Sequence, residues 1–459
     1  MSNFIKPNPN RREFIKDSSL ILGASALAGV ALPHVHCAED NTVKIALVGC
    51  GGRGTGAASN ALSVSAQHGP VKMTSMVDVF KERLDGSFGS LQRGFADKMD
   101  VPDSRKYIGF DGYKEGMATL RKGDIVILGT PPAFRWVQFK HAIELGLNVF
   151  MEKPICVDVA SGRKMIELAD AANKNGLKVG VGLMVRHCRG RQALFNKIKE
   201  GAIGDIIAMR AYRMHPPVGS AFSGKKPDGI SELMYQIKRF HSFLWASGGL
   251  FSDFYIHQID ECCWMKDAWP VKCHAIGGRH YRGENIDQNF DNYQVEYTFE
   301  DGTKFFFYGR TMAGMKDEFT SAIHGTKGMT TVSLGGHHMG RACRIFKGHN
   351  MKIEDKVWDP PLNPPDPYQL EWDDLLDAVR NNKPYNEVKR AARASMVTTM
   401  GRYAAHTGQE ISWDDYSKLP QEFAPNVDKL TLDGPAPILA DKDGKYPIPM
   451  PGIKRDAEY

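Results

Sequence analysis

Residues 49–54 constrain the fold of this chain more than any other segment, and they read Gly-Cys-Gly-Gly-Arg-Gly. They follow a short apolar run, Val43–Val48, that has the length and composition of a buried parallel strand. They precede Thr55–Leu62, a stretch that is able to open a helix. The segment therefore has the G-x-G-x-x-G pattern in the strand, turn and helix setting that gives this pattern its meaning.

The glycines of this turn predict a dinucleotide site. Gly49 permits the tight turn, Gly51 lets the backbone approach a pyrophosphate, and Gly54 allows the helix to pack closely on the strand. Gly52 and Arg53 lie between them, where free N–H groups at a helix N-terminus meet phosphate. We therefore expect a Rossmann domain at the N-terminal side of the chain.

A carboxylate after the second predicted strand predicts which dinucleotide is bound. Val71–Val77 reads as that strand and is followed by Asp78. A carboxylate there accepts both ribose hydroxyls of the adenosine and repels a 2′-phosphate, which favours NAD over NADP. Lys81 and Arg83 follow closely and weaken this discrimination, and a solvated residue at a strand end is the alternative interpretation of Asp78.

Apolar strands and helical patterns alternate after this point, which predicts a doubly wound parallel sheet. Asp124–Leu128 is followed by Gly129-Thr130-Pro131-Pro132, and Leu147–Met151 is followed by Glu152-Lys153-Pro154. We count Thr130, Pro131, Glu152 and Lys153 among the cofactor-binding residues.

The later part of the chain alternates in hydropathy with a period of two, which predicts an α/β domain with a largely antiparallel, open sheet covered by helices on one face. The predicted domains are a Rossmann domain at 43–156, a substrate-binding α/β domain at 157–418 and a Pro-rich C-terminal segment at 419–459.

The first 37 residues have the pattern of a targeting signal. Paired Arg11-Arg12 precede Phe14 and Lys16, and the apolar stretch Ser18–Leu32 follows, an order that resembles a twin-arginine signal peptide. We expect cleavage after Cys37 and export to the periplasm in the folded state, with the cofactor already bound. Lipoprotein anchoring through Cys37 and an uncleaved N-terminal helix are less favoured alternatives, and no membrane span is expected after signal removal.

The composition and charge of the chain argue against one class of partner. The chain has 42% hydrophobic and 24% charged residues and a formal net charge of +6, without a basic run interleaved with aromatic residues. Nucleic acid is therefore not an expected partner. The eight cysteines have no regular spacing, so we expect buried thiols and no disulfide framework.

Four motifs in a fixed order carry a family likeness. They are the glycine turn at 49–54, Thr130-Pro131-Pro132, Glu152-Lys153-Pro154, and Gly248-Gly249-x-x-x-Asp253-x-x-x-His257-x-x-Asp260. From about residue 43 to about residue 410 the chain resembles the glucose–fructose oxidoreductase and inositol dehydrogenase (Gfo/Idh/MocA) family. It departs from the family at Arg135, where a His is frequent, and in its C-terminal segment.

The candidate catalytic residues are Lys153, Asp253 and His257. A Lys at the end of a parallel strand lies beside the crevice where such sheets bind ligands, and its charge stabilises a developing alkoxide. Asp253 and His257 share one face of a helix because they are four residues apart. The resemblance implies that His257 accepts a proton and that Asp253 orients the substrate or His257. A metal site with Asp260 as third ligand and a structural pair remain alternatives.

Other polar residues are weaker candidates. Arg186 follows a predicted strand, Leu177–Met184, and is a candidate substrate contact; Tyr212 and His215 are candidates of the same kind. His337-His338 and Cys262-Cys263 lack the spacing of metal ligands, so no metal is predicted.

Three functions follow from these features. The first is an NAD-dependent oxidoreductase that acts on a hydroxyl of a sugar, inositol or glycoside and keeps its NAD bound through turnover. The second is a redox-neutral, NAD-dependent enzyme that cleaves glycosides. The third is a non-catalytic sugar-binding protein, which the presence of Lys153, Asp253 and His257 argues against. A small carbohydrate is the expected partner, and a homo-oligomer is the expected assembly.

Overall fold

The computed structural model describes residues 41–280, 282–337, 342–360 and 365–459. The predicted signal peptide at 1–37 lies outside the described residues.

The first sheet is parallel throughout. Its strands are β1 (Val43–Val48), β2 (Val71–Asp78), β3 (Lys106–Ile108), β4 (Ile125–Leu128), β5 (Asn148–Met151) and β6 (Val179–Val181). In the described part of the chain these six strands have the order β3-β2-β1-β4-β5-β6, so the order reverses direction between β1 and β4. A reversal of this kind opens a crevice at the carboxyl ends of the strands.

Helices cover both faces of this sheet. Alternate side chains of β1 point to opposite faces, so Ile45 and Leu47 enter one apolar core while Ala46 and Val48 enter the other. The predicted doubly wound parallel sheet is therefore confirmed. The helices of this part are α1 (Gly52–Leu62), α2 (Lys81–Phe95), α3 (Gly112–Ala118), α4 (Arg135–Glu144) and α5 (Val159–Lys174).

The second sheet is largely antiparallel. Its strands are β7 (Ile206–His215), β8 (Lys272–Gly278), β9 (Asn292–Thr298), β10 (Lys304–Thr311), β11 (Glu318–Gly325), β12 (Gly328–Leu334), β13 (Arg344–Phe346), β14 (Lys356–Trp358) and β15 (Ile411–Ser412). Within the described ranges their order is β14-β13-β12-β11-β7-β10-β9-β8-β15. The β7–β10 pair is parallel, and the neighbouring pairs of β7 and β10, with β11 and β9, are antiparallel.

Helices pack on one face of the second sheet. Met209 and Ala211 of β7 share an apolar core with Tyr255, Ile259 and Val397. This arrangement confirms the predicted open sheet with a one-sided helical cover. The remaining helices are α6 (Arg189–Lys199), α7 (Glu232–Lys238), α8 (Leu244–Ser247), α9 (Gly249–Lys266), α10 (Pro367–Arg380), α11 (Val388–Thr407) and α12 (Trp413–Tyr416).

The two sheets do not divide the chain at residue 156, where the sequence pattern places a boundary. Strand β6 pairs with β5 and therefore belongs to the first sheet. Helix α10 also packs on the first sheet, where Trp372 stacks on Phe150 with ring centroids 4.6 Å apart. The boundary differs because these contacts join segments that are far apart in sequence.

The strand predicted at Leu177–Met184 is shorter than expected. Strand β6 ends at Val181, since the backbone N–H of Leu183 turns back to donate to the Val181 carbonyl. Arg186 consequently lies in a 3₁₀ turn, Met184–His187, and not at a strand end.

A fourth apolar core joins two segments outside the sheets. The insert, residues 216–247, contributes Leu233, Phe243 and Trp245, and the C-terminal segment, residues 419–459, contributes Val427 and Ile438. No helix of the described residues has the length and hydropathy that crossing a membrane requires.

Candidate active site

A cavity of about 340 Å³ lies at the carboxyl ends of the strands of the first sheet. Its lining includes Gly49 and Asp78, which follow or end β1 and β2, and Thr130 and Glu152, which follow β4 and β5. The cavity therefore occupies the crevice at which the strand order reverses, where open α/β sheets bind their ligands.

The glycine turn has the geometry that a pyrophosphate requires. Gly49 has φ of +96°, and a Cβ there would lie 2.5 Å from the Thr130 nitrogen. A Cβ at Gly54 would lie 2.0 Å from the Gly49 carbonyl oxygen, so Gly54 sets the close packing of α1 on the turn. Gly51 and Gly52 line the cavity, and no described atom lies within 4 Å of an added Cβ at either position. Among the residues that the structure describes, no side chain caps the α1 N-terminus, so its N–H groups are available to an anion.

Asp78 is held in place by two backbone donors. The N–H of Cys50 donates to Oδ2 at 2.7 Å and the N–H of Phe80 donates to Oδ1 at 2.9 Å. Burial raises the pKa of the Asp78 carboxyl, and these donors and the charge of Arg83 partly offset that effect. Asp78 and Arg83 both line the cavity, which suits recognition of ribose hydroxyls.

Arg53 and Glu152 form an ion pair at the cavity wall. Glu152 Oε1 accepts from Arg53 at 2.8 and 3.2 Å, and the Arg53 guanidinium lies 4.4 Å from the centroid of the Tyr368 ring. The structure thus brings these two predicted cofactor residues together with the glycine turn.

Arg135 supports the turn after β4. Its guanidinium is buried and donates to the backbone carbonyls of Leu128 and Thr130, the latter at 2.9 Å. Thr130 and Pro131 line the cavity beside it. At the position where the resemblance suggested an imidazole, this chain therefore uses a buried cation to shape the cavity wall.

Lys153 and Asp253 meet at the cavity. Lys153 Nζ donates to the backbone carbonyl of Asp253 at 2.6 Å and lies 3.6 Å from its Oδ1. Burial alone would raise the pKa of the Asp253 carboxyl, but Lys153 and a hydrogen bond from His241 hold the pKa well below its usual range. Asp253 is thus an anion between two donors.

His241 is a site residue that the sequence analysis missed. The backbone N–H of Ser220 donates to His241 Nδ1 at 3.2 Å, which makes Nδ1 an acceptor and places the ring hydrogen on Nε2. Nε2 lies 3.2 Å from Asp253 Oδ2, so His241 donates to the carboxylate. Flanking aromatic residues, Phe240 and Phe243, are a weak sequence signal for a buried turn at this point of the insert.

His257 lies one helical turn beyond Asp253 on α9, as the spacing predicted. It is buried but does not contribute to the cavity lining, and its Nδ1 has no hydrogen-bond partner among the described residues. Its ring centroid lies 4.4 Å from that of His337. Burial, followed by the charges of Lys153 and Arg213, lowers the pKa of His257 well below its usual range, so the imidazole is neutral.

Three further residues were predicted as substrate contacts, and all three lie outside the cavity lining. Arg186 donates to both carboxylate oxygens of Asp260 at 2.8 Å. Tyr212 stacks on Tyr308, with centroids 5.1 Å apart, because it points to the opposite face of β7 from the buried Ala211. The weaker candidate, His215, faces the Pro216 carbonyl at 2.7 Å.

None of Arg186, Tyr212 and His215 lines the cavity. The Arg186 pair also occupies Asp260, the third ligand that the metal interpretation needs. In the part of the chain that the structure describes, no group of three or more His, Cys, Asp or Glu side chains is placed to hold a metal ion.

The Rossmann fold and the cavity at its glycine turn are those of a dinucleotide-dependent oxidoreductase. Residues 43–183 match a family described as "Oxidoreductase family, NAD-binding Rossmann fold", and residues 192–331 match the "GFO/IDH/MocA C-terminal domain". Together the matches cover more than half of the chain, which therefore belongs to the Gfo/Idh/MocA oxidoreductase family. Its cofactor is NAD, and the open glycine turn and the oriented Asp78 fit that group.

Curated relatives are distant. A "Glycosyl hydrolase family 109 protein" of Shewanella pealeana is 22% identical over 45% of this chain and 46% of its own length. A "1,5-anhydro-D-fructose reductase" of Ensifer adhaerens is 24% identical over 45% of this chain and 55% of its own length. The chain thus spans about half the length of these relatives.

Solved structures share the fold. Aldose-aldose oxidoreductase from Caulobacter crescentus, crystallised with glycerol, has a TM-score of 0.60 at 15% identity, over 81% of this chain and 99% of its own. Scyllo-inositol dehydrogenase from Lactobacillus casei, with bound NAD(H) and scyllo-inositol, has a TM-score of 0.58 at 21% identity over the same shares.

Proposed function

We propose that this protein is an NAD-dependent oxidoreductase that acts on a hydroxyl of a sugar, inositol or glycoside and regenerates its NAD in place. The observation that carries the proposal is the contact between Lys153 and Asp253 in the wall of a cavity that also holds the glycine turn of an NAD-binding fold. The similarity to a 1,5-anhydro-D-fructose reductase and to the fold of a scyllo-inositol dehydrogenase supports this substrate class.

Bound NAD supplies the acceptor for the hydride that leaves the carbinol carbon. The ammonium group of Lys153 stabilises the oxygen as its proton departs, because a fixed positive charge in a buried site favours a developing alkoxide. The family resemblance implies His257 as the proton acceptor; its neutral imidazole lies one helical turn beyond Asp253, although outside the cavity lining. Asp253, which accepts a hydrogen bond from His241, holds the ammonium group of Lys153 in position at the cavity.

A redox-neutral glycoside-cleaving activity is the second candidate. The observation that favours it is the match to a relative named as a glycosyl hydrolase family 109 protein. Such an enzyme would release the glycosidic substituent with no net change in the oxidation state of its NAD. The same Lys153, Asp253 and His257 would serve both activities, so product analysis separates them.

Retention of NAD follows from the proposed export. Free NAD(H) is scarce outside the cytoplasm, so an exported enzyme that released its cofactor in each cycle would stall. We propose that the protein reaches the periplasm by the twin-arginine route, carries NAD with it and works as a homo-oligomer.

The test is to purify the protein without added NAD, denature it and quantify the NAD(H) released, with turnover measured in parallel on a panel of free sugars, inositols and aryl glycosides. We expect near-stoichiometric NAD(H) and turnover without added cofactor. Oxidised or reduced sugar products support the first candidate, and cleavage without net redox change supports the second. An empty site with turnover strictly dependent on added NAD would leave an ordinary dehydrogenase.

A further inference from the structure

The C-terminal segment, residues 419–459, reaches the NAD cavity although both family matches end before it. Val427, Asp428 and Leu430 line the cavity together with Asp78 and Tyr113. We propose that residues 424–432 form a strap that completes the NAD site at the end marked by Asp78 and slows release of the cofactor.

The strap bridges the two sides of the crevice. On one side, Asp428 lines the cavity together with Tyr113, which lies at the start of α3. On the other side, Val427 packs in one apolar core with Ala133 and Phe134, which follow β4. The crevice between these two contacts is where the adenosine half of a dinucleotide binds.

The first end of the strap is anchored to the start of α5. The backbone N–H of Phe423 donates to Asp158 Oδ2 at 2.8 Å, and Glu422 pairs with Lys164. Asp158 is itself buried and caps α5 through the N–H of Ser161. This end of the strap therefore cannot move without disturbing a helix cap.

The segment after the strap is anchored more deeply. Glu458 is 1% exposed and accepts from Arg402 through both carboxylate oxygens at 2.8 Å, and from His406 at 2.8 Å. Tyr459 stacks on Phe423 with ring centroids 5.3 Å apart. The two ends of the segment thus meet, and the strap is part of a closed loop.

The middle of the strap is less buried than the residues on either side of it. Asp428 is exposed and Leu430 is half-buried, whereas Ala424 and Val427 at the start of the strap and Ala436 and Ile438 beyond its end are buried. Displacement of this short stretch opens one end of the cavity while the anchors stay in place. Release of NAD past this end requires that displacement, which predicts slow dissociation.

The experiment measures dissociation of NADH from the full-length protein. The protein is loaded with NADH, mixed with excess NAD in a stopped-flow instrument, and the loss of bound NADH fluorescence is followed. A double variant, Asp428→Ala with Leu430→Ala, removes two strap side chains at the cavity. We expect release at least about tenfold faster, which corresponds to about 1.4 kcal/mol.

The matched control lies on the same segment. Leu439→Ala with Ile453→Ala truncates side chains that are 63% and 78% exposed, that lie outside the strap and that do not line the cavity. We expect wild-type release from this control and equal melting temperatures for all three proteins. A strap variant that releases NADH at the wild-type rate would overturn the inference.

The inference rests on the proposed retention of NAD, but the release experiment tests the strap separately from retention. If the wild-type protein purifies without NAD, retention through turnover fails, while the strap remains measurable with added NADH. If NAD co-purifies and the strap variant does not change its release, retention stands and the strap is refuted.

Discussion

Charge at single residues decides the chemistry of the cavity. Asp253 remains an anion in a buried site because Lys153 and His241 both donate to this residue, and His257 remains neutral because burial and two nearby cations oppose its protonation. The anion of Asp253 and the neutral base of His257 thus lie one helical turn apart on α9, and the cation of Lys153 contacts Asp253. Each can be tested by a single substitution.

Asp78 should set the preference for NAD. Replacing Asp78 by Ala removes the acceptor for the ribose hydroxyls and the charge that repels a 2′-phosphate. We expect weaker NAD binding and improved relative use of NADP, measured as dissociation constants for both cofactors. An equal loss for the two cofactors would contradict the assignment.

Lys153 and His257 should be needed for chemistry and not for folding. We expect Lys153→Ala and His257→Ala to fold and still bind NAD while turnover falls on the order of 10²-fold or more. Turnover and NADH fluorescence titration measure the two effects. If either variant retains activity, the role assigned to the replaced residue is wrong.

Arg213 should control the acid limb of the pH–rate profile. Burial, Lys153 and Arg213 lower the pKa of His257, so the neutral base persists below the usual range of an imidazole. Arg213→Met removes one of the cations, raises the pKa of His257 and should move the acid limb of kcat/KM to higher pH.

The control for this shift is Arg210→Met. Arg210 lies on the same strand but donates to His324, at 3.2 Å, on the other face of the sheet. We expect its profile to match that of the wild type. An unmoved acid limb in Arg213→Met would show that His257 is not the group that titrates.

At the scale of elements, α9 carries the proposed catalytic pair, Asp253 and His257, and α11 supports the N-terminus of α9. Arg402 on α11 donates to the carbonyls of Val157 and Gly248 at 3.0 and 2.8 Å, and to Ser252 Oγ at 2.9 Å. Glu458 balances the buried charge of Arg402. The C-terminal segment therefore supports the start of the helix that presents Asp253.

Glu458→Ala should destabilise the fold by about 3–5 kcal/mol, because it leaves the Arg402 cation buried without its partner. Denaturant unfolding measures the change, and Asp456→Ala, an exposed neighbour, is the control with an expected change near zero. A loss equal to that of the control would show that Arg402 finds another partner.

The Glu458 contribution should depend on pH. Burial opposes ionisation, but Arg402 and His406 lower the pKa of Glu458 from its ordinary 4.5 to about 2. A carboxyl group with a lowered pKa stabilises the folded state above the unfolded pKa and loses that effect as the pH falls. The advantage of wild type over Glu458→Gln should therefore be complete above about pH 4.5 and decline towards pH 2.

At the scale of the whole molecule, the Rossmann sheet, the insert with the start of α9, and the C-terminal segment converge on one cavity. A cofactor enclosed by elements from both ends of the chain is bound most simply while the chain folds. Transport in the folded state suits such an assembly, which is the property that the twin-arginine pattern predicts.

Replacing Arg11-Arg12 by Lys-Lys should keep the precursor inside the cell. Fractionation and immunoblotting of cytoplasm and periplasm measure the distribution, and Lys6→Gln, outside the arginine pair, is the control with unchanged export. A Lys-Lys variant that is exported normally would refute the twin-arginine interpretation.

Local patterns in the sequence were sufficient for the fold class and for much of the site. The glycine turn, Asp78 and Lys153 each depend on a strand and the few residues that follow it, and the spacing of Asp253 and His257 depends on one helix. Hydropathy with periods of two and 3.6 residues also indicated one parallel and one antiparallel sheet, which the structure confirms.

The tertiary structure decided the features that join distant segments. Tyr212 could face either side of β7, because residues on both faces of that strand are partly apolar, and only the packing of α9 settles which face is covered. Arg186 lies away from the cavity because Asp260 binds it, and His241 enters the site because the insert folds over Asp253. The strap at Leu430 closes the cavity through anchors such as Glu458, whose partners lie far earlier in the chain. Contacts of this kind leave no period or motif in the sequence, since they depend on which surfaces meet after the elements have formed.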